Sequence, residues 1–239
     1  MEDYEKTFFR NIGVVSEAEQ KKLKQSKVAV IGLGGIGGIA FEMLARSGVG
    51  NFVLVDKDEF EISNLNRQVL SSRLVLGEKK AVVAAQCLSA INAEAKATVY
   101  VGELGERNVS KVISGADAVI DGLDSAISRV ILSRESRRKK IPYVFGAAGG
   151  SAGMSSVFIS ESYEKCLSLP SEGKNIPTAR KLLANYPRGR PIIGVAASQV
   201  GIFQATQALC VLLKKPFVRA PDFMFFDAFG KEKSRLRAL

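Results

Sequence analysis

The chain predicts an α/β protein, a doubly wound, Rossmann-like and mostly parallel sheet finished by antiparallel strands near the C-terminus. Three observations predict it. Residues 28–31 are a short apolar run of strand type that leads directly into Gly32-Leu33-Gly34-Gly35-Ile36-Gly37-Gly38, the G-x-G-x-x-G spacing between a strand and a helix. Further apolar runs of strand length at 52–55, 98–101, 116–121 and 142–145 are interleaved with helical stretches, the pattern of βαβ units. After them come strand-like runs at 155–159 and 223–227, expected to close the sheet in antiparallel order.

Each element has a local reason. In the N-terminal segment, 1–24, the apolar residues Phe8, Phe9, Ile12, Val14 and Val15 precede Ser16-Glu17-Ala18-Glu19. That is a helix start with Ser16 as N-cap and Glu19 three residues on, so an N-terminal helix is expected beside the sheet. In the nucleotide-binding half, 25–150, the glycines permit a tight turn and close backbone approach, and the helix at 39–47 aims its first amides at an anion. The strand 52–55 ends in Asp56, about twenty residues beyond the glycines, where an acidic side chain takes ribose hydroxyls. Gly77-Glu78-Lys79-Lys80 opens an Ala- and Val-rich helix running to about residue 91. A strand at 98–101, a turn at 105–109 and a short helix at 110–114 follow.

The strand 116–121 is closed by Gly122-Leu123-Asp124-Ser125. At the carboxyl end of a parallel strand, the Asp124 carboxylate stands over the phosphate crevice and can hold Mg²⁺ there. Asp121 is read as a turn or cap residue, and Arg129, one helical turn on, as aimed at the same phosphates. The small residues at 146–153 let the chain pass close over the site. The last part, 151–239, holds a crossover loop rich in Lys, Arg and Pro, then the C-terminal strands and helix; the whole is expected to be one domain.

Composition narrows the function. With 46% apolar and 24% charged residues the chain can bury a full core. There is no histidine, which excludes an imidazole base, a Ser-His-Asp triad and any His-ligated metal. Three irregularly placed cysteines give no disulfide framework, and the N-terminus does not read as a signal peptide, so a cytoplasmic location is expected. The apolar stretch 192–213 raises the question of a membrane span, but Ser198, Gln199, Gln204, Thr206 and Gln207 interrupt it; a buried or dimer-interface helix is expected and no membrane. The net charge of +10, clustered at 21–27, 134–140, 180–190 and 231–237, would attract polyanions. With little aromatic interleaving, nucleic acid is possible but not favoured.

A polar cluster just after Asp56 sharpens the reading: Asp58, then Ser63-Asn64-Leu65-Asn66-Arg67-Gln68, which a nicotinamide dehydrogenase does not need. With Gly32-x-Gly34-Gly35-x-Gly37, Asp56-x-Asp58, Asn64-x-x-Arg67-Gln68, Lys80, Asp124 and Arg129 in order, the chain resembles the E1-like adenylyltransferases. These are the ubiquitin-activating enzymes and the molybdopterin-synthase and thiamine-pathway sulfur-carrier activators. The strand at 155–159 and Pro191-Ile192-Ile193-Gly194-Val195 are similar to that family too, so the resemblance covers most of the chain. It implies ATP and Mg²⁺ as cofactors, with Gly32, Gly34, Gly35, Gly37, Asp56, Asp58, Gln68, Leu123 and Arg129 around the nucleotide. Asn64, Arg67 and Lys80 would act on the phosphates, Asp124 on the metal, and Arg10 would reach the neighbouring subunit's triphosphate in a homodimer. Lys79 falls one residue short of the family spacing.

The resemblance thins toward the C-terminus. Family members commonly bind zinc through two C-x-x-C pairs, yet Tyr163-Glu164-Lys165-Cys166 keeps one cysteine, so no zinc is expected. Residues 174–190 hold no cysteine for a thioester, and Cys87 and Cys210 read as core thiols. The expected reaction is ATP-dependent adenylation of a carboxylate with pyrophosphate release, the acyl group passing to a partner protein. A small molecule such as the guanylylpyridinol precursor of the [Fe]-hydrogenase cofactor is slightly favoured as substrate. The alternatives are the Gly-Gly terminus of a ubiquitin-like sulfur carrier, dehydration of threonylcarbamoyl-adenosine in tRNA, and a non-catalytic E1-like scaffold.

Overall fold

A computed structural model describes residues 3–186, 191–230 and 234–238. Residues 187–190 of the expected crossover loop and 231–233 of the last basic cluster lie outside the described residues. The strands are β1 Lys27–Ile31, β2 Asn51–Asp56, β3 Lys96–Val101, β4 Ala118–Asp121, β5 Tyr143–Gly149, β6 Ala152–Phe158, β7 Asp222–Asp227 and β8 Ser234–Ala238. The helices are α1 Asp3–Phe8, α2 Glu17–Gln25, α3 Gly35–Arg46, α4 Lys80–Ile91, α5 Val109–Val112, α6 Ala126–Lys139, α7 Tyr163–Cys166, α8 Ile176–Leu182 and α9 Gly194–Leu213.

One sheet carries all eight strands in the order β3-β2-β1-β4-β5-β6-β7-β8. The first five are mutually parallel and the last three join antiparallel, as expected. Its central strands are buried on both faces, and alternate residues serve the two sides. Val28, Val30, Phe52, Leu54, Ile120 and Val144 pack with α3, α4 and α9. Ala29, Ile31, Val53, Val119, Tyr143 and Phe145 pack with α5, α6, α7 and α8. Between β1 and β4 the chain order reverses, so the carboxyl ends of these strands diverge and open a crevice.

The helix at 192–213 is α9. Length and composition alone would let it cross a membrane, and half of its apolar window is buried inside the protein. It lies against α3 and the β5-β6 hairpin, where glycines admit it: a Cβ at Gly201 would stand 2.5 Å from the Ile36 carbonyl, and one at Gly153 2.4 Å from Val200. Two of its glutamines bond to neighbouring backbone, while Gln199 Oε1 and Gln204 Oε1 are buried with no partner among the described residues. Gln204 Nε2 donates to the carbonyls of Asp121 and Val144, both at 2.9 Å, and Gln207 Oε1 accepts from the Val218 amide at 2.6 Å.

The N-terminal expectation is met at α2, where the Glu19 amide donates to Ser16 Oγ (3.2 Å) and the Ser16 amide donates to Glu19 Oε2 (2.8 Å). Several elements differ from the sequence reading. Helix α3 begins at Gly35 instead of 39, because the later glycines belong to its tightly packed first turn. Residues 146–153 do not pass over the site as a loop; they continue β5 and start β6, small because α9 packs on them. Strand β8 was not expected, since all its residues are exposed and the sequence shows no alternation there.

Beyond β6, Glu161 pins the chain to the segment before β7. Burial works against its ionisation, but the amides of Ile159 (3.0 Å) and Ser160 (3.1 Å) and the Arg219 guanidinium (2.8 Å) win, bringing its carboxyl from 4.5 down to about 2. A carboxyl depressed in the folded state stabilises it above the unfolded pKa and loses that contribution as pH falls toward 2. Glu161→Gln is therefore expected to melt lower than the parent at pH 6, with the gap closing as both are titrated from pH 4.5 to 2. A gap that persists unchanged at pH 2 would contradict this.

Candidate active site

The crevice at the carboxyl ends of β1, β2 and β4 has a volume of about 980 Å³. That is at the upper end of the roughly 300–1,000 Å³ of small-molecule sites, room for a nucleotide and a second group. Its floor is the glycine turn. Gly32 has φ +88°, the left-handed region, and a Cβ there would stand 2.5 Å from the Gly122 carbonyl; at Gly37 it would stand 1.9 Å from the Gly32 carbonyl. The turn after β1, the first turn of α3 and the end of β4 thus touch backbone to backbone. Gly34 is the N-cap of α3 with no side chain to satisfy the first amides, which leaves those donors for a ligand.

Asp56, at the end of β2, does more than the sequence suggested. Its Oδ2 accepts from the Leu33 amide at 2.7 Å and its Oδ1 from the Asp58 amide at 2.9 Å, so it holds the glycine turn in shape as well as facing the crevice. Burial raises its carboxyl pKa, opposed by those two amides and by Lys80. Lys80, first residue of α4, is buried, with Nζ 3.8 Å from Asp58 Oδ2 and 5.9 Å from the Phe60 ring centroid. Its neighbour Lys79 turns outward to Glu59 at 2.9 Å and does not line the crevice.

The wall opposite comes from the segment 61–68. Asn64 is buried, its Oδ1 accepting from the Glu61 amide at 3.2 Å. Arg67 is half-buried, with Nη1 donating to the Ser63 carbonyl (2.9 Å) and Asn66 Oδ1 (2.7 Å). Gln68 lies against Gly34, and its buried Oε1 has no partner among the described residues. The start of α9 and the residues just before it fix this wall from behind: Asn66 Nδ2 donates to the Ile192 carbonyl at 3.2 Å, and Gly194 abuts the Asn66 carbonyl.

Across from it, Leu123 and Asp124 follow β4. Asp124 is exposed in the crevice, and its carboxylate has no hydrogen bond or ion pair to another described residue. Among the described residues no group of three or more His, Cys, Asp or Glu could hold a metal. A lone unpartnered carboxylate suits Mg²⁺, which takes one or two protein carboxylates and completes its shell with phosphate and water.

Arg129 lines the crevice, and part of its guanidinium is held by the protein. Its Nη2 donates to the carbonyls of Leu123 and Gly146 (3.0 Å for the latter), and its Nε lies 3.3 Å from Asp121 Oδ2. Arg10 is exposed on the turn Phe9–Asn11, at the far end of α3, where Asn11 reaches the Ser47 carbonyl at 3.3 Å. It is not brought to this chain's own crevice.

The sequence reading missed the layer beneath. Asp121, taken as a cap, is fully buried: Oδ2 accepts from the Tyr143 hydroxyl at 2.6 Å and Oδ1 from the Leu123 amide at 2.9 Å. Burial pushes the Tyr163 hydroxyl, beside Arg129, up to about 12, so it stays protonated. Arg134 grips Glu164 through two bonds of 2.6 and 2.7 Å and tethers the 171–174 carbonyls to α6. An acid at the end of an apolar strand was the available signal for Asp121.

The ThiF family model matches residues 8–238. The sulfur carrier protein ThiS adenylyltransferase of Bacillus subtilis is 32% identical over 230 residues, covering 94% of this chain and 65% of that enzyme's length. The molybdopterin-synthase adenylyltransferase of Escherichia coli is 34% identical over 211 residues, 87% of this chain and 82% of that one. Among solved structures, E. coli MccB with succinimide superposes with a TM-score of 0.81 at 22% identity, over 97% of this chain and 70% of that one. The E. coli tRNA N6-threonylcarbamoyladenosine dehydratase TcdA, in complex with AMP, gives 0.74 at 24% identity, over 90% and 97%. Both share the fold. With the glycine turn, the 64–68 wall and the Asp124 carboxylate set around one crevice, and with nearly the whole chain matched, the protein belongs to the ThiF family.

Proposed function

We propose that the chain is an ATP-dependent adenylyltransferase that activates a substrate carboxylate as an acyl-adenylate. The observation that carries this is the gathering of the α3 N-terminal amides, Arg67, Lys80 and Asp124, whose carboxylate pairs with no other described residue, around one histidine-free crevice. A carboxylate oxygen attacks the α-phosphorus, the bond to the β-phosphate oxygen breaks, and pyrophosphate leaves with the electron pair. The attacking group is already an anion, so no general base is required; placement and charge neutralisation do the work. Asn64, Arg67 and Lys80 stabilise negative charge on the phosphates, Asp56 takes the ribose, and the amides after Gly34 cradle the phosphates. Asp124 would hold Mg²⁺, which neutralises phosphate charge and screens it from the attacking carboxylate.

The acyl side runs over the β5-β6 hairpin, where Ala147, Ala148, Gly149, Ala152 and Gly153 leave a track with little side-chain bulk. Such a track fits a thin, extended carboxylate end. Together with relatives named for carriers, it supports the C-terminus of a ubiquitin-like sulfur carrier as substrate. A small carboxylic acid is the second reading, supported by the absence of cysteine from residues 174–190, which leaves acyl capture to another protein. The exposed Ile62, Val69, Val195 and Ile202 suit a homodimer contact, in which Arg10 would serve the neighbouring crevice.

ATP–pyrophosphate exchange tests the proposal, run with a Gly-Gly-ending carrier and separately with a panel of small carboxylic acids. Exchange with the carrier supports the first reading, and exchange with small acids alone supports the second. ATP binding with no exchange under either the carrier or the acids would overturn both substrate readings and bring the tRNA and scaffold readings forward.

A further inference from the structure

Leu123 is gripped from both sides by one buried ion pair. Its amide donates to Asp121 Oδ1 at 2.9 Å, and its carbonyl accepts from Arg129 Nη2, so the two peptide groups that flank it are fixed by opposite charges. Asp121 is fully buried and is itself held by the Tyr143 hydroxyl at 2.6 Å. Arg129 also donates to the Gly146 carbonyl at 3.0 Å and stacks over Phe145 at 5.3 Å. Its Nη2 is thus committed to two backbone carbonyls, and its Nε faces the Asp121 carboxylate at 3.3 Å. The next residue along the chain is Asp124, and the one before Leu123 is Gly122, whose backbone touches Gly32 and Gly37.

We infer that Asp121 and Arg129 are positioning residues that lock the Gly122-Leu123-Asp124 turn, holding the Asp124 carboxylate over the phosphate crevice, and that Arg129 does not itself bind phosphate. The geometry gives the reason for an ion pair at this depth. A turn of three residues with a glycine at its start has little side-chain packing to define it, and charge-assisted bonds to both its amide and its carbonyl define it instead. Partners of this outer kind, when removed from a metal-holding carboxylate, typically cost about 10–100-fold in metal affinity or activity.

The inference rests on the adenylation reading for its kinetic consequence, and on geometry alone for its structural one. Two variants test it, Arg129→Lys and the milder Tyr143→Phe, which loses only the hydroxyl on Asp121 and so keeps the test open where the first fails to fold. In exchange assays both are expected to raise the Mg²⁺ needed for half-maximal rate, about tenfold for Arg129→Lys and less for Tyr143→Phe. ATP affinity measured without magnesium should stay within about twofold, because a misplaced Asp124 acts through the metal. Amide hydrogen exchange of the peptide containing Leu123 should be faster in both. Weakened metal-free ATP binding with an unchanged magnesium requirement would make Arg129 a phosphate ligand and overturn the inference. Unchanged amide exchange at Leu123 would overturn it too. A parent protein with no exchange activity sinks the adenylation reading and leaves the amide measurement to decide the clamp.

Discussion

Arg67→Ala is expected to lower ATP–pyrophosphate exchange about 10²–10³-fold, the usual cost of removing one aimed donor from a charge-stabilising site. Among the described residues the side chain hydrogen bonds to the Ser63 carbonyl and Asn66 Oδ1 and is only half-buried, so the melting temperature should barely move; such changes at partly exposed positions stay within about 0.5 kcal/mol. The separation of effects is what identifies the role. Lost exchange with an intact fold places the guanidinium on the reacting phosphates. Exchange within about twofold of the parent would remove Arg67 from the chemistry.

Gly37→Ala is the change expected to damage the fold most for its size. Alanine in a helix interior is favoured over glycine by about 1 kcal/mol, yet the new Cβ would stand 1.9 Å from the Gly32 carbonyl and 3.2 Å from the Gly122 Cα, both backbone atoms with nowhere to retreat. Overpacking of this kind costs about 1–3 kcal/mol or more, so the clash wins. We expect a net loss of about 2 kcal/mol and ATP binding weakened along with it, since α3 must move away from the crevice. Gly105→Ala is the control, with nothing within 4 Å of its Cβ and no left-handed backbone. A thermal melt of the two variants checks this: equal melting temperatures would contradict the close packing of the three glycine segments.

The residues that were legible in the sequence are those whose role is set within a few positions of chain. Gly32 to Gly37 and the Ser16 cap depend on one turn or one helix start, and local spacing reports them; the choice of Lys80 over Lys79 rests on the resemblance to the E1-like enzymes. Asp121 was misread because its partners arrive from β5 and α6, and only the strand order β4-β5 brings Tyr143 beside it. For Arg129 the same network engages Nη2 and Nε with protein groups, which local spacing could not report. The glycines and alanines at 146–153 read as a loop because nothing local says that a helix fifty residues later will press on them. The short helices α7 and α8 hide within a polar stretch, fixed by Arg134 across 30 residues of chain.

The central claim is bond formation between a carboxylate oxygen and the α-phosphorus. The direct measurement uses the carboxylate substrate found by exchange, labelled with oxygen-18 in its carboxyl group, and reads the AMP released once the acyl group is taken by an acceptor. One oxygen-18 in the AMP, with pyrophosphate unlabelled, is the expected result. Label in inorganic phosphate with ADP as the nucleotide product would mean attack at the γ-phosphorus and would contradict adenylation.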